Sequence, residues 1–136
     1  MTTVQVRYIV HDVDAAATFY RQHLGFEEVM RRPPGFAMLE WGDLRLVLTA
    51  PGAPNSGGGS TLPDGRKPEP GGWNRFAIEV SDVDATVERL RQAGVPLRSG
   101  VIRGSGGNQA IVEDPSGNPI ELFQPIPPSA RPTPTS

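Results

Sequence analysis

The sequence predicts an α+β fold in which two tandem βαβββ modules form a paired-sheet cleft. Two observations support this fold: the chain repeats itself, and both halves show the same order of hydrophobic periodicities. Residues 10–15 (Val-His-Asp-Val-Asp-Ala) return at 80–85 (Val-Ser-Asp-Val-Asp-Ala), and residues 46–51 correspond to 120–125 at the ends of the halves. Because beginning and end match in register, a duplication explains the pattern.

The first half has the pattern of one strand, one helix and three further strands. Residues 4–10 are β-branched and aromatic, which favours a strand. Asp12 is placed to cap a helix whose apolar side chains recur at helical spacing, and Gly25 can adopt the left-handed conformation that ends it. Gly42-Asp43 is a two-residue hairpin turn. The remaining strands are predicted at 28–32, 36–41 and 44–50.

The second half repeats this order. A strand is predicted at 75–80, Asp82 caps the second helix, and Gly94 with Pro96 ends it. The segment 114–118 (Asp-Pro-Ser-Gly-Asn) is dense in turn-forming residues and is expected to join the last two strands. The other strands of this half are predicted at 97–102, 109–112 and 119–124.

These elements divide the chain into a first module at 1–50, a connection at 51–72, a second module at 73–125 and a tail at 126–136. The connection is rich in glycine, proline and serine and has no hydrophobic periodicity. A loop of this length in a small domain is either functional or disordered. The proline-rich tail is predicted to be flexible.

The composition excludes several classes of partner. A net charge of −2 provides no basic surface for nucleic acid. No apolar run approaches the roughly 20 residues needed to cross a membrane. The chain has no cysteine, so thiolate metal sites and cysteine nucleophiles are excluded. No leader sequence is apparent at the N-terminus, and a cytoplasmic location is expected.

The paired modules, the Val-x-Asp-Val-Asp-Ala helix entry and the closing segment 113–122 (Glu-Asp-Pro-Ser-Gly-Asn-Pro-Ile-Glu-Leu) together resemble the vicinal oxygen chelate superfamily. This superfamily contains glyoxalase I, extradiol dioxygenases and bleomycin-resistance proteins. The resemblance extends from Val4 to Pro125. It implies a small-molecule cleft, and it implies a homodimer because members of the superfamily are commonly dimeric.

The resemblance also implies four metal-ligand positions, which fall on Gln5, Val47, Arg75 and Glu121 in this sequence. Only Gln5 and Glu121 suit a metal. Val47 has no lone pair to donate, and Arg75 is a permanent cation. We therefore expect no bound metal, and we expect Arg75 to form an ion pair with Glu121. The alternative is a purely structural cross-strand pair that contacts no ligand.

Other side chains are candidates for ligand contact. Trp41 and Trp73 both lie at the ends of predicted elements, where an indole can stack on a planar ligand or simply cover the edge of the core. By strand alternation, Arg7 shares a face with Gln5, and Phe123 shares a face with Glu121. His11 and His23 are expected to be structural or surface residues.

Three functions remain open. The favoured hypothesis is a metal-independent binding protein, similar to bleomycin-resistance proteins, that sequesters an aromatic or hydrophobic drug or natural product. The second is a glyoxalase-type lyase, isomerase or dioxygenase that binds a divalent metal through Gln5 and Glu121. The third is a metal-free enzyme in which Glu121 transfers protons and Arg75 stabilises a developing oxyanion.

Overall fold

The computed structural model describes residues 3–126, and the element order in this range is that of two βαβββ modules. The predicted α+β fold is therefore confirmed. The elements, in chain order, are β1 (Val4–Ile9), α1 (Val13–Leu24), β2 (Glu27–Arg32), β3 (Phe36–Trp41), β4 (Leu44–Thr49), β5 (Ala77–Glu79), α2 (Val83–Gln92), β6 (Leu97–Arg103), β7 (Gly107–Glu113) and β8 (Pro119–Pro125).

Both helices are capped by the predicted aspartates. Oδ1 of Asp12 accepts a 3.1 Å hydrogen bond from the backbone N–H of Ala15, and Oδ1 of Asp82 accepts one of 3.0 Å from that of Ala85. Each cap satisfies an N–H group that the helix itself leaves without a partner. Gly25 ends α1 with φ of 76°, in the left-handed region that a residue with a side chain rarely adopts.

The first sheet has the strand order β1-β4-β3-β2, with β1 parallel to β4 and the other pairs antiparallel. Helix α1 packs against β3 and β4, so one face of this sheet forms the core of the module. Each buried leucine there contributes roughly 2 kcal/mol. The buried side chains of this core are Val13, Ala16, Ala17, Tyr20, Ala37, Leu39, Leu46 and Leu48.

The second sheet has the corresponding order β5-β8-β7-β6, and α2 packs against β6, β7 and β8. Its first strand is shorter than predicted. We expected a strand at 75–80, but β5 spans only Ala77–Glu79, because its pairing with β8 extends only from Ala77–Glu121 to Glu79–Phe123. Arg75 consequently precedes the strand. The buried core side chains are Ile78, Val83, Val87, Leu90, Ala110, Val112, Ile120 and Leu122.

The contacts divide the chain into two units. The first comprises the residues up to Gly72 together with the turn Asp114–Asn118, and the second comprises Trp73–Glu113 and the residues from Pro119 onward. Within the first unit, Asn118 Nδ2 donates to the carbonyl oxygen of Ile9 at 2.7 Å, and Asn118 Oδ1 accepts from the N–H of Gly71 at 2.7 Å. The side chain of Asn118 thus joins β1 to the end of the connection.

The first part of the connection is ordered against the ends of β3 and β4. The N–H of Ala50 donates to the carbonyl of Gly35 at 3.0 Å, and Asn55 Nδ2 donates to the carbonyl of Pro33 at 2.9 Å. Gly35 lies so close to the backbone of Pro54 that a Cβ atom at this position would overlap the Pro54 carbonyl oxygen. Glycine is required here by close approach of two chain segments.

Two further expectations concern the ends and the surface. The predicted flexible tail falls on residues 127–136, outside the described residues, except for Ile126, whose N–H donates to the carbonyl of Gly106 at 3.3 Å. Within residues 3–126, neither helix is long and apolar enough to cross a membrane.

Candidate functional site

The predicted ion pair between Arg75 and Glu121 is present in the second unit. Nε and Nη2 of Arg75 lie 3.0 and 2.9 Å from Oε1 of Glu121, and Arg75 Nη1 donates to the carbonyl of Trp73 at 3.1 Å. The two side chains are 24% and 18% exposed. Both contacts use the same carboxylate oxygen. Among the described residues, Oε2 of Glu121 has no hydrogen-bond partner, so it can accept from a ligand.

Trp73 lies beside this pair and is strongly exposed. Its side chain is 69% exposed, and the guanidinium carbon of Arg98 lies 4.6 Å from the ring centroid. Arg98 is itself held by Glu113, with Nε 2.9 Å from Oε2. The cation–π contact orients the indole while it leaves most of its surface open to a ligand. We call Trp73, Arg75, Arg98, Glu113 and Glu121 the second-sheet cluster.

Arg98 and Glu113 are not apparent as site residues in the sequence. Their contact depends on the pairing of β6 with β7, which is irregular between Leu97 and Ser99. A bulge of this kind changes the alternation of side chains and has no clear sequence signal here. The contact of Arg98 with Trp73 therefore cannot be predicted from the sequence.

Phe123 lies on the same face of the second sheet as Glu121. The register pairs Ala77 with Glu121 in β5 and β8, and alternation gives Phe123 the same direction. The ring packs closely on Gly107, where an added Cβ would be 2.8 Å from Cζ of Phe123. Phe123 is half-buried, so it extends the apolar surface near the ion pair.

The first unit holds the other predicted residues. Gln5, Arg7 and Val47 lie on the face of the first sheet opposite α1, since β1 and β4 pair Arg7 with Val47. Gln5 and Arg7 are exposed, whereas Val47 is buried. The side chains of Glu40 and Trp41 point to opposite faces of the sheet, and Trp41 lies on the face that carries α1. Trp41 is 37% exposed. The structure thus does not bring Trp41 together with the other three side chains.

The chemistry of the predicted metal positions does not suit a divalent ion. Within residues 3–126, no three histidine, cysteine, aspartate or glutamate side chains lie close enough together to hold a metal. An ion on Glu121 would also lie next to the Arg75 guanidinium. The Coulomb repulsion between the two cations is roughly several kcal/mol at an effective dielectric constant near 20. Metal independence nevertheless stays a prediction.

The two histidines have structural surroundings. The backbone N–H of His11 donates to Ser116 Oγ at 2.9 Å, inside the first unit. The ring of His23 lies edge-on to Phe19, with 5.4 Å between centroids. Among the described residues, neither histidine belongs to a group of three side chains that could hold a metal.

Among the described residues, several cavities lie apart from the predicted contacts. One of about 440 Å³ is in the second unit and is lined by Glu79, Val80, Ser81, Gln124 and Pro125. A cavity of about 370 Å³ in the first unit is lined by Met30, Arg32, Phe36, Asn55 and Gly57. The third, about 240 Å³, is lined by Ile9, Val10, His11, Pro51, Lys67, Pro68, Glu69 and Pro70. None of these cavities is apparent in the sequence, because each depends on a loop placed against a strand.

Comparison with known proteins identifies relatives over nearly the whole chain. The sequence model of the Glyoxalase/Bleomycin resistance protein/Dioxygenase superfamily matches residues 2–122. Among curated proteins, none is similar enough to match.

Several solved structures are similar to this chain. A glyoxalase/bleomycin resistance protein/dioxygenase from Nocardioides has 26% identity, a TM-score of 0.71, and coverage of 100% of this chain and 90% of that one. TnmS3, an antibiotic binding protein from a Streptomyces species, has 26% identity, a TM-score of 0.68, and coverage of 92% and 96%. A lactoylglutathione lyase from Agrobacterium tumefaciens has 25% identity, a TM-score of 0.68, and coverage of 90% and 92%.

Proposed function

The chain belongs to the glyoxalase/bleomycin resistance protein/dioxygenase superfamily, and on that premise we propose that it is a metal-independent protein that binds and sequesters a small aromatic or hydrophobic molecule. Membership alone does not decide function, because one fold carries unrelated chemistries. The proposal therefore depends on the residues of the second-sheet cluster.

The ion pair between Arg75 and Glu121 carries the proposal. These are two of the four positions at which metal-dependent relatives are expected to place ligands. Here Arg75 already supplies the positive charge that Glu121 would otherwise take from a metal. The free Oε2 of Glu121 provides an acceptor for a hydroxyl or amide of the ligand. Such a site orients a ligand without requiring a metal.

Aromatic contact supports the same proposal. Trp73 presents an indole that is 69% exposed and oriented by Arg98. A planar ligand that stacks on this ring gains roughly 0.5–1.5 kcal/mol beyond the burial of its surface. Phe123 adds a second aromatic side chain on the face that carries Glu121. Apolar walls with a few polar groups are typical of small-molecule sites.

Similar structures support binding without excluding catalysis. TnmS3, an antibiotic binding protein, is 26% identical to this chain, which favours sequestration of a drug or natural product. The similarity to a lactoylglutathione lyase at 25% identity supports the second candidate, a glyoxalase-type lyase, isomerase or dioxygenase. In an enzyme without metal, Glu121 would transfer the proton and Arg75 would stabilise the oxyanion. A metal-dependent enzyme would have only Gln5 and Glu121 as donors.

Calorimetric titration distinguishes these candidates. The chelator-treated protein is titrated with nickel, zinc, manganese and iron(II). The proposal predicts no stoichiometric binding of any of the four ions. Tight binding of one ion per chain would overturn metal independence and would favour the metal-dependent enzyme.

Ligand contact is tested with matched tryptophan variants. Trp73→Leu and Trp41→Leu are compared by fluorescence quenching and calorimetry with bleomycin, an anthracycline and a flavone as probes. The proposal predicts that at least one probe binds, and that Trp73→Leu weakens it while Trp41→Leu leaves its affinity unchanged. Equal affinities of both variants would contradict the role of Trp73.

The ion pair is tested separately. The double variant Arg75→Gln/Glu121→Gln keeps the size of both side chains and removes both charges. We expect it to fold and to bind the same probe more weakly. Unchanged folding and unchanged binding would show that the pair has no role at the site.

We also propose that the chain forms a homodimer. Apolar side chains remain exposed on the described surface, among them Val4 at 61% and Ile102 at 48%. Burial of such side chains in a symmetric interface is a common arrangement. Sedimentation equilibrium is expected to give the mass of two chains at micromolar concentration, and the mass of one chain would contradict the proposal.

A further inference from the structure

The cavity of about 370 Å³ in the first unit combines apolar walls with a cation. It lies on the face of the first sheet opposite α1, where β2 and β3 pair Met30 with Met38 and Arg32 with Phe36. Its volume falls within the roughly 300–1,000 Å³ of small-molecule sites. Met30 is 39% exposed and Phe36 is half-buried, so both have apolar surface that a ligand can cover.

Arg32 differs from its neighbours because its charge is not neutralised. Arg31 pairs with Asp14 and Glu28, and Arg45 pairs with Glu40. For Arg32, the described residues provide neither an ion pair nor a hydrogen bond to its side chain. A guanidinium at the rim of an apolar cavity is suited to bind a carboxylate or sulfonate through two parallel hydrogen bonds.

The opposite wall of the cavity is preorganised by the connection. Asn55 has φ of 68°, and its Nδ2 is already engaged by the carbonyl of Pro33. Its Oδ1 has no partner among the described residues and can accept a hydrogen bond. The close approach of Gly35 to Pro54 holds this segment against the sheet. A wall that is ordered in advance reduces the entropy lost when a ligand binds.

We propose that this cavity binds a planar apolar anion, meaning an aromatic ring system that carries a carboxylate or sulfonate. The ring system packs on Met30 and Phe36, and Arg32 pairs with the acidic group. The site is separate from the second-sheet cluster in its residues, and the inference does not rest on the proposed function. A failure of either proposal leaves the other standing.

The test uses two dyes with the same skeleton. The anionic probe is 8-anilinonaphthalene-1-sulfonate, and N-phenyl-1-naphthylamine is its counterpart without the sulfonate. Both are titrated by fluorescence into the unaltered chain, Arg32→Gln and Arg21→Gln. Arg21 lies exposed on α1, away from the cavity, so its replacement changes the net charge equally. Circular dichroism verifies that each variant is folded.

The expected results differ between the dyes. Arg32→Gln lowers the affinity for the sulfonate dye about tenfold, because only the sulfonate pairs with the guanidinium. The affinity for the neutral dye stays within about twofold of that of the unaltered chain. Arg21→Gln leaves the affinities for both dyes within about twofold of those of the unaltered chain. A third variant, Met30→Ala, lowers the affinities for both dyes, because both dyes pack on the apolar wall. Methyl NMR locates the site, since the Met30 methyl resonance should shift on addition of either dye.

Several outcomes would overturn the inference. The unaltered chain could show no saturable binding of the sulfonate dye, or the Met30 methyl resonance could remain unmoved at saturation. Arg32→Gln and Arg21→Gln could lower the affinity for the sulfonate dye equally, which would show that only the net charge of the chain matters. Arg32→Gln could lower the affinities for both dyes equally, which would show that Arg32 packs against the ring system and does not recognise the anion.

Discussion

The hydroxyl of Tyr20 donates a 2.9 Å hydrogen bond to Oδ2 of Asp114, although 94 residues separate the two in the sequence. Both side chains are buried, at 0% and 2% exposure. Asp114 also accepts from the backbone N–H groups of Ser116 and Asn118, at 2.9 Å each, and from Asn118 Nδ2 at 3.0 Å. Because a buried carboxylate must have its lone pairs satisfied, this network fixes the turn Asp114–Asn118 within the first unit.

The first prediction concerns the stability that this bond contributes. Tyr20→Phe removes the hydroxyl and leaves Oδ2 of Asp114 with one donor fewer. We expect the free energy of unfolding to fall by about 2 kcal/mol, since hydrogen bonds to charged groups contribute roughly 1.5–3 kcal/mol. Urea denaturation with unchanged m-value is the measurement. A loss below about 0.5 kcal/mol would indicate that water replaces the hydroxyl.

The second prediction concerns alkaline pH. Burial raises the pKa of the Tyr20 phenol well above its ordinary value, and the charge of Asp114 and its hydrogen bond raise it further. In the unfolded chain this phenol loses its proton near pH 10, while the folded chain retains it. The unfolded state then binds fewer protons, so the free energy of unfolding decreases as pH rises above about 10.

Denaturation of the unaltered chain and Tyr20→Phe between pH 8 and pH 11 isolates this contribution. We expect the stability difference between the two proteins to shrink as pH rises, because only the unaltered chain carries this titrating phenol. A difference that is constant over the range would show that Tyr20 ionises equally in both states.

The third prediction concerns the ion pair of Arg75 and Glu121. Both side chains are less than one quarter exposed, so their attraction is only partly screened by water. A double-mutant cycle with Arg75→Gln and Glu121→Gln should give a coupling of about 1 kcal/mol. The control is the pair of Arg91 and Glu88, whose side chains are 61% and 49% exposed on α2. Its coupling should be smaller, and equal couplings would contradict the prediction.

The fourth prediction concerns the close contact of Gly35 with the connection. Gly35→Ala places a Cβ against the backbone of Pro54 and Ser56, and we expect a loss of about 2–3 kcal/mol. Gly100→Ala is the control, because an added Cβ there has no neighbour within 4 Å. Urea denaturation compares the two, and amide exchange should increase at residues 53–60 in Gly35→Ala alone. Equal stabilities would show that the loop shifts freely.

Local sequence signals predicted most of the fold. Asp12, Asp82 and Gly25 act at the helix ends as expected, because capping depends on residues only a few positions apart. The predicted bounds of the strand at 75–80 were wrong. Its side-chain pattern suits a strand, yet β5 begins at Ala77 after the turn at Gly71 and Gly72. Strand length depends on pairing with β8, which periodicity does not report.

For the candidate site, the contact of Arg75 with Glu121 was predictable because the resemblance to the superfamily implies that both residues occupy ligand positions of the cleft. Whether either contacts a ligand stays a prediction. The position of Trp41 was not predictable from its place at a strand end. Its position on the face that carries α1 follows from the register of β3 with β4. Arg98 reaches Trp73 only through the irregular pairing of β6 with β7.

By itself, the sequence determined the α+β class and the order of elements, which follow from the duplication and from interactions between near neighbours. The pairing of Arg75 with Glu121 was expected only from the resemblance to the superfamily, since 46 residues separate the two. Only the tertiary structure decided that Asp114 is buried against Tyr20, that Arg98 lies over Trp73, and that the connection forms a cavity beside Arg32. The reason is physical: such contacts join residues far apart in the chain, and they form only after strand register and backbone packing bring them together.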